Sequence, residues 1–154
     1  LAAARDEILA LGRAQGHELD IYEMFARMAG NNAGAGQRGA LVERVRALKR
    51  DGYPTGVITN NVAEFGDGWR GLVPVDELFD FIVDSSTVGV RKPDPRIFQL
   101  ALAQLPGIAP DEIVFLDDYP ANVEAAHRLG LAAITVGTDL PAAIAELDAL
   151  LAAR

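Results

Sequence analysis

Ile113-Val114-Phe115-Leu116 is an unbroken apolar run that stops at two adjacent carboxylates, Asp117 and Asp118. Nothing else in the chain constrains the fold as strongly. A strand with one wet face alternates apolar and polar residues, whereas a strand that is apolar throughout is covered on both faces, as in a parallel sheet. Parallel strands need long crossovers, usually helical, and the surrounding sequence supplies them. Thr55-Gly56-Val57-Ile58-Thr59, closed by Asn60-Asn61, reads as one short buried strand. Phe79 to Val83 reads as another, and Leu131 to Val136 as a fourth. Leu41, Val42, Val45 and Leu48 make a helical stripe ended by Asp51-Gly52. Asp94-Pro95 predicts an N-cap with proline in the first turn, and Ile97, Phe98 and Ala101 form the inner face behind it. A further helix is expected over 120–129, ended by Gly130, with Leu131 placed for the apolar contact of a glycine cap. The last helix starts near 141. Alternating strands and helices predict an α/β fold with a doubly wound, Rossmann-like parallel sheet.

Upstream the pattern is helical only. Ile21, Met24, Phe25 and Met28 share one helix face between Asp20 and Gly30, and a weaker helix is expected over 3–14. Residues 31–36 read as a linker, which places a domain boundary near residue 38. Gly66, Gly68 and Gly71 weaken any long helix in 62–78.

Composition narrows the function classes. At 154 residues, 50% hydrophobic and 23% charged, the chain can build one real core. A net charge of −8 argues against a nucleic-acid surface, and the absence of an 18-residue apolar run argues against a membrane span. With no cysteine there is no thiol nucleophile, disulfide or zinc-thiolate site. No signal-peptide pattern appears, so a soluble, cytoplasmic protein is expected. Charge is uneven: residues 1–50 hold eight basic and six acidic side chains, and residues 51–154 hold six and sixteen. Phosphate or metal chemistry is therefore sought in the second part.

Ligands of open α/β sheets sit beyond the carboxyl ends of the strands, and the chemistry-bearing residues lie there. The Thr59 hydroxyl and the backbone N–H groups of Asn60 and Asn61 can donate to an anionic oxygen; the same residues also make an ordinary turn. Lys92, in the loop before a capped helix, can meet a phosphate as a point charge or simply be solvated. Arg91 beside it reads as surface. Asp117 and Asp118 repel each other at a buried strand end, and a divalent cation would relieve that repulsion. Oxygen donors without histidine or thiol suit Mg²⁺ rather than zinc. Alternatively one Asp caps the next helix and the other faces solvent. Asn122 can turn its amide toward the same place. His17 and His127 lack partners at catalytic or metal-binding spacing. Serine-hydrolase, P-loop and dinucleotide signatures are absent.

Taken together, a strand ending in Thr, a loop Lys and a strand ending in Asp-Asp resemble the haloacid dehalogenase (HAD) superfamily. Val57-Ile58-Thr59-Asn60-Asn61 is similar to its second motif, Val88 to Phe98 to its third, and Ile113 to Val123 to its fourth. The likeness spans roughly residues 40–140. The Leu-Asp-Asp-x-x-x-Asn form is similar to the phosphatase domain of soluble epoxide hydrolases and implies the Mg²⁺-dependent branch. The resemblance implies a phosphatase acting on a small phosphomonoester through an aspartyl-phosphate. Thr59, Asn60 and Lys92 would bind the phosphoryl group, with Thr59 and Lys92 offsetting its charge. Asp118 would ligate Mg²⁺, supported by Asp117 and Asn122. Residues 1–38 would be the remnant of a helical cap and 39–154 the core.

The family's first motif, Asp-x-Asp after an apolar strand, occurs nowhere in the sequence, and Asp6 and Asp20 sit in helical context. Three readings follow: an N-terminally truncated HAD phosphatase that is inactive alone, a non-catalytic HAD-like module binding a phospho-ligand or protein, or a response-regulator-like phosphoacceptor. The order Thr, Lys, acidic pair disfavours the last. In the family the first-motif strand lies between those of Thr59 and Asp117. That place is expected either to close by direct pairing or to be filled by a strand from a fragment or another chain, as strand complementation or a dimer.

Overall fold

The computed structural model describes residues 35–61 and 74–153. The helices expected over 3–14 and 20–29, His17 and most of the glycine-rich stretch lie outside the described residues. From Gln37 onward the chain belongs to one compact unit. In order, its elements are α1 (Ala35–Arg50), β1 (Gly56–Thr59), α2 (Val75–Leu78), β2 (Phe81–Asp84), α3 (Ser85–Val88) and α4 (Pro95–Leu102). A 3₁₀ turn (Pro110–Glu112) leads to β3 (Val114–Asp117), α5 (Pro120–Arg128), β4 (Ala132–Thr135) and α6 (Leu140–Ala152). All four expected strands are present within two residues of their expected bounds. Helix α1 starts inside the stretch expected to be linker.

Two-residue periodicity explains how the strands collect helices on both faces. Ile113 and Phe115 pack toward Phe98, Ala101, Ala125 and Ala126 of α4 and α5. Val114 and Leu116 pack the opposite way, toward Leu48 of α1 and Ala143 and Leu147 of α6. In β4, Ala133 and Ile134 divide between the same two cores. Phe98 and Phe115 meet edge to face, with ring centroids 5.3 Å apart and planes at 76°. The ends of the helices follow the sequence signals. Asp94 caps α4 by accepting from Arg96 N at 2.9 Å. Gly130 adopts φ +87° after α5, where a side chain would be strained, and buried Leu131 closes the cap by donating to Ala126 O at 3.2 Å.

Of the two outcomes expected for the place between β1 and β3, closure by direct pairing is not seen. The strands pair in parallel as β1 with β2 and β3 with β4, and no ladder joins β1 to β3 among the described residues. They have not closed up. Between them lies a cavity of about 380 Å³, walled by Gly56–Ile58 on one side and Ile113–Leu116 on the other. Val114, Phe115 and Leu116 are half-buried, and their side chains are covered on both faces of the sheet, as their unbroken apolarity predicted. The backbone edge of β3 away from β4 faces the cavity, and no strand among the described residues pairs with it.

The β1–β2 pair is fastened at its start. Thr55 N donates to Asp80 Oδ2 at 2.9 Å, Asp80 N donates to Thr55 O at 2.7 Å, and Lys49 Nζ lies 3.1 Å from Asp80 Oδ1. The Thr55 N–H, helped by Lys49, holds the Asp80 carboxyl below the usual carboxylate range. One residue on, Gly56 faces Phe81 across the ladder. A Cβ at Gly56 would fall 2.1 Å from the Phe81 ring.

Two outcomes are expected. Gly56→Ala should destabilise the chain by about 1–3 kcal/mol, because the ring must leave its place; urea denaturation measures this. The stabilisation from Asp80 exists above the unfolded carboxyl value of about 4 and fades as pH falls through the lower folded value. Stability of Asp80→Asn should therefore fall less steeply below pH 4 than that of the parent chain, as read from denaturation midpoints at several pH values.

Candidate active site

The carboxyl ends of β1 and β3 meet at Lys92. Its ammonium donates to Ile58 O at 2.7 Å and to Asp117 Oδ2 at 2.6 Å, and stands 5.6 Å from the centre of the Phe115 ring. Both side chains of the pair are withdrawn from solvent, Lys92 to 11% and Asp117 to 5% exposure. The loop holds Lys92 there by its backbone. Asn60 Oδ1 accepts from Lys92 N at 2.8 Å, and Asn60 Nδ2 donates to Lys92 O at 3.0 Å. The Lys92–Pro93 peptide is cis. Just after it, Asp94 starts α4, and the Arg96 guanidinium and backbone N–H push its carboxyl down to about 2.

Asp117 is saturated. Besides Lys92 it accepts from Tyr119 N and from Asn122 Nδ2, both at 2.8 Å to Oδ1. Asp118, one residue on, is exposed and has no hydrogen-bond or ion-pair partner among the described residues. Asn122 is buried at 5% exposure, and its Oδ1 is a buried acceptor without a partner. A cavity of about 520 Å³ opens over these groups, lined by Asn60, Arg91, Lys92, Asp117, Asp118, Tyr119 and Asn122.

The structure thus gathers Asn60, Lys92, Asp117, Asp118 and Asn122 in one place. Thr59 ends β1 half-buried beside them, its hydroxyl without a hydrogen-bond partner among the described residues, and does not line the cavity. Asn60 spends its side-chain amide on the Lys92 backbone. His127 is exposed on α5, 3.3 Å from Leu131 O, and apart from the site. Sequence reasoning missed Ser85, whose Oγ accepts from Asn61 N at 2.8 Å and donates to Asn61 O at 3.0 Å. It also missed Asp84, which accepts from Asn61 Nδ2 at 2.9 Å. These two lock the end of β1 to the end of β2. The polar run Asp84-Ser85-Ser86-Thr87 straight after a strand was the available signal. Arg91, exposed as expected, and Tyr119, also exposed, line the cavity nonetheless.

Chemically, Lys92 and Arg91 offer positive charge to an anion. Asp118 and the orphaned Asn122 Oδ1 are hard oxygen donors of the kind Mg²⁺ takes. No cluster of three acidic or histidine side chains exists among the described residues. Mg²⁺ sites commonly need only one or two carboxylates, with water and substrate phosphate completing the shell. The donor set therefore fits that ion.

The family model for haloacid dehalogenase-like hydrolases matches residues 5–130. The chain belongs to that family. Among its relatives is the bifunctional epoxide hydrolase 2 of Rattus norvegicus, 30% identical over 151 residues, which are 95% of this chain and 26% of the relative. Proteins named as phosphatases are further relatives. A predicted HAD-like family hydrolase from Porphyromonas gingivalis has a TM-score of 0.64 at 27% identity, covering 93% of this chain and 70% of that one. A HAD family enzyme from Bacteroides thetaiotaomicron, solved with magnesium and inorganic phosphate, shares the fold at TM-score 0.56 and 24% identity, covering 66% and 54%. The chain spans 10% to 52% of the length of the curated relatives it matches. In this HAD chain the ends of β1 and β3 and the loop before α4 converge on one ammonium.

Removing that ammonium leaves Asp117 buried and unpaired. Lys92→Met should cost about 3–5 kcal/mol of stability. Lys92→Arg should not restore it, because a planar fork cannot replace a compact ammonium between Ile58 O and Asp117. Adding Asp117→Leu to Lys92→Met should recover much of the loss, and chemical denaturation of the four proteins measures each step.

Proposed function

We propose that this chain is the phosphate- and metal-binding part of a Mg²⁺-dependent HAD phosphatase acting on a small phosphomonoester. The observation that carries the reading is the division of labour between the two aspartates: Asp117 is consumed by Lys92, Tyr119 N and Asn122, and Asp118 is left unengaged over the cavity. Asp118 and Asn122 Oδ1 would hold Mg²⁺, which supplies charge neutralisation for a phosphoryl oxygen. Lys92 offers its remaining donor to the phosphoryl group, and Arg91 adds long-range attraction at the mouth. Thr59 would contribute its hydroxyl and the backbone N–H beyond it. Asn60 acts through Lys92, fixing the ammonium by its backbone. Positioning and electrostatics of this kind are what phosphoryl transfer requires of a protein.

The sequence contains no Asp-x-Asp, so the covalent step lacks its carboxylate within these 154 residues. The relatives named as phosphatases, and the neighbour solved with magnesium and phosphate, support the same assignment. The residues 1–38 would belong to a cap that selects the substrate.

The purified chain should bind Mg²⁺ and inorganic phosphate together, with phosphate affinity rising as Mg²⁺ is added, and should show no turnover of p-nitrophenyl phosphate. Asp118→Asn, at an exposed position, should weaken Mg²⁺ binding at least about tenfold without changing the melting temperature of the metal-free chain. Calorimetric titration decides the binding. Mg²⁺ affinity unchanged in Asp118→Asn would sink the metal assignment, and chelator-resistant turnover by the pure chain would sink the rest.

A further inference from the structure

Residues 85–92 leave the end of β2 and come back to the end of β1, and both ends of this segment are fastened to adjacent asparagines. At the far end, the Asn60 amide holds the Lys92 main chain through Oδ1 and Nδ2. At the near end, Ser85 holds the Asn61 main chain: its Oγ accepts from Asn61 N at 2.8 Å and donates to Asn61 O at 3.0 Å. The β1–β2 ladder runs to Thr59 and Asp84, and the Ser85 hydroxyl continues the pairing beyond it. A hydroxyl donates and accepts at once, so it can stand in for a main-chain partner. The anchor is itself fixed. Ser85 is buried, and its carbonyl oxygen accepts from Gly89 N at 3.0 Å. Asp84 beside it takes Asn61 Nδ2 on one oxygen and the Ser86 N–H and hydroxyl on the other.

Asn60 is thereby held from both sides, by the ladder at Thr59 and by Ser85 at Asn61. Its amide meets both main-chain groups of Lys92, and two hydrogen bonds to one residue tolerate little rotation. What fixes Asn60 therefore fixes the ammonium that bridges Ile58 O and Asp117 Oδ2. The Asn61 N–H, spent on Ser85, serves this frame rather than an anion. We propose that Ser85 is a positioning residue: through Asn61 and then Asn60 it sets the place of the Lys92 ammonium, and with it the affinity of this corner for an anion. The placement of Lys92 stands on the contacts themselves, and the effect on an anion rests on the reading of the cavity as a phosphate site. Supporting hydrogen bonds of this kind hold a binding group within the narrow geometry that binding requires.

The chain's only lysines are Lys49 and Lys92. Lys49 pairs with Asp80 at the opposite end of the β1–β2 pair and serves as an internal reference. Brief reductive methylation of the folded chain, read by peptide mass spectrometry, compares the two. Ser85→Ala should raise the Lys92 rate relative to Lys49 at least about threefold. Ser85→Cys, which fills the same place with a weak donor, should shift the ratio the same way. Ser86→Ala removes a hydroxyl bonded to Asp84 and should leave the ratio unchanged. By calorimetry with Mg²⁺ saturating, inorganic phosphate should bind Ser85→Ala at least about tenfold more weakly than the parent chain. Affinity for Mg²⁺ alone should not change, because Asp118 and Asn122 stand after β3 and on α5. An unchanged methylation ratio in both Ser85 variants, or Lys49 and Lys92 rising together, would overturn the proposal, and so would equal phosphate affinity in Ser85→Ala. A raised Lys92 rate in Ser85→Ala, with no phosphate bound by the parent chain, would uphold the placement of Lys92 and remove the phosphate reading instead.

Discussion

The structure is organised around one ammonium ion. Lys92 is the point at which β1 and β3, which share no ladder, are joined by polar contact: it reaches a main-chain carbonyl of one strand and a side-chain carboxylate of the other. A pair this far from water costs desolvation on both sides and is weak evidence of net stability. It also leaves little freedom of placement, because neither charge can be abandoned by the other. Asn60 adds two hydrogen bonds to the Lys92 main chain, and Asn122 and Tyr119 N complete the shell of Asp117. The candidate site is the outer surface of this joint. In the proposed reading, the atoms that would bind an anion are those that hold two pieces of sheet in register.

Much of this was legible in the sequence, for reasons that differ between elements. The strands announced themselves by apolar runs, and α4, α5 and α6 by Pro and Gly at their ends; these are local signals that tertiary packing had no cause to override. The coincidence of Thr59, Lys92 and Asp117-Asp118 at strand ends was legible because open α/β sheets concentrate function there. Roles within the cluster were not legible. Asn60 looked like a phosphate donor, and its amide is occupied by the Lys92 main chain. The two adjacent aspartates look alike in sequence, but successive residues at a strand end diverge, so Asp117 turns inward and Asp118 outward. Ser85 and Asp84 escaped notice because a hydroxyl and a carboxylate after a strand are commonplace until their partners in β1 are known.

The unbroken apolarity of β3 implied cover on both faces, and both faces are covered. An apolar run implies that each side chain has somewhere apolar to go, and Val114, Phe115 and Leu116 do reach the two cores. It says nothing of whether the backbone edge between them is covered. Half-burial of three consecutive apolar residues thus accompanies a backbone edge that no strand among the described residues pairs with.

The division into two strand pairs has a consequence for how the chain comes apart. The apolar core containing Val83 of β2 also contains Ile97, Phe98 and Ala101 of α4 and Ala125 and Ala126 of α5. Helix α4 therefore touches material from both pairs, and coupling between them passes through this helix and the Lys92 joint, with no ladder between them among the described residues. Sub-global opening follows the weaker seam, so β1–β2 can detach as one foldon while β3, β4 and α5 keep their own packing. A single melting temperature would then describe the grip of α4 and the Lys92 joint more than the strength of either ladder.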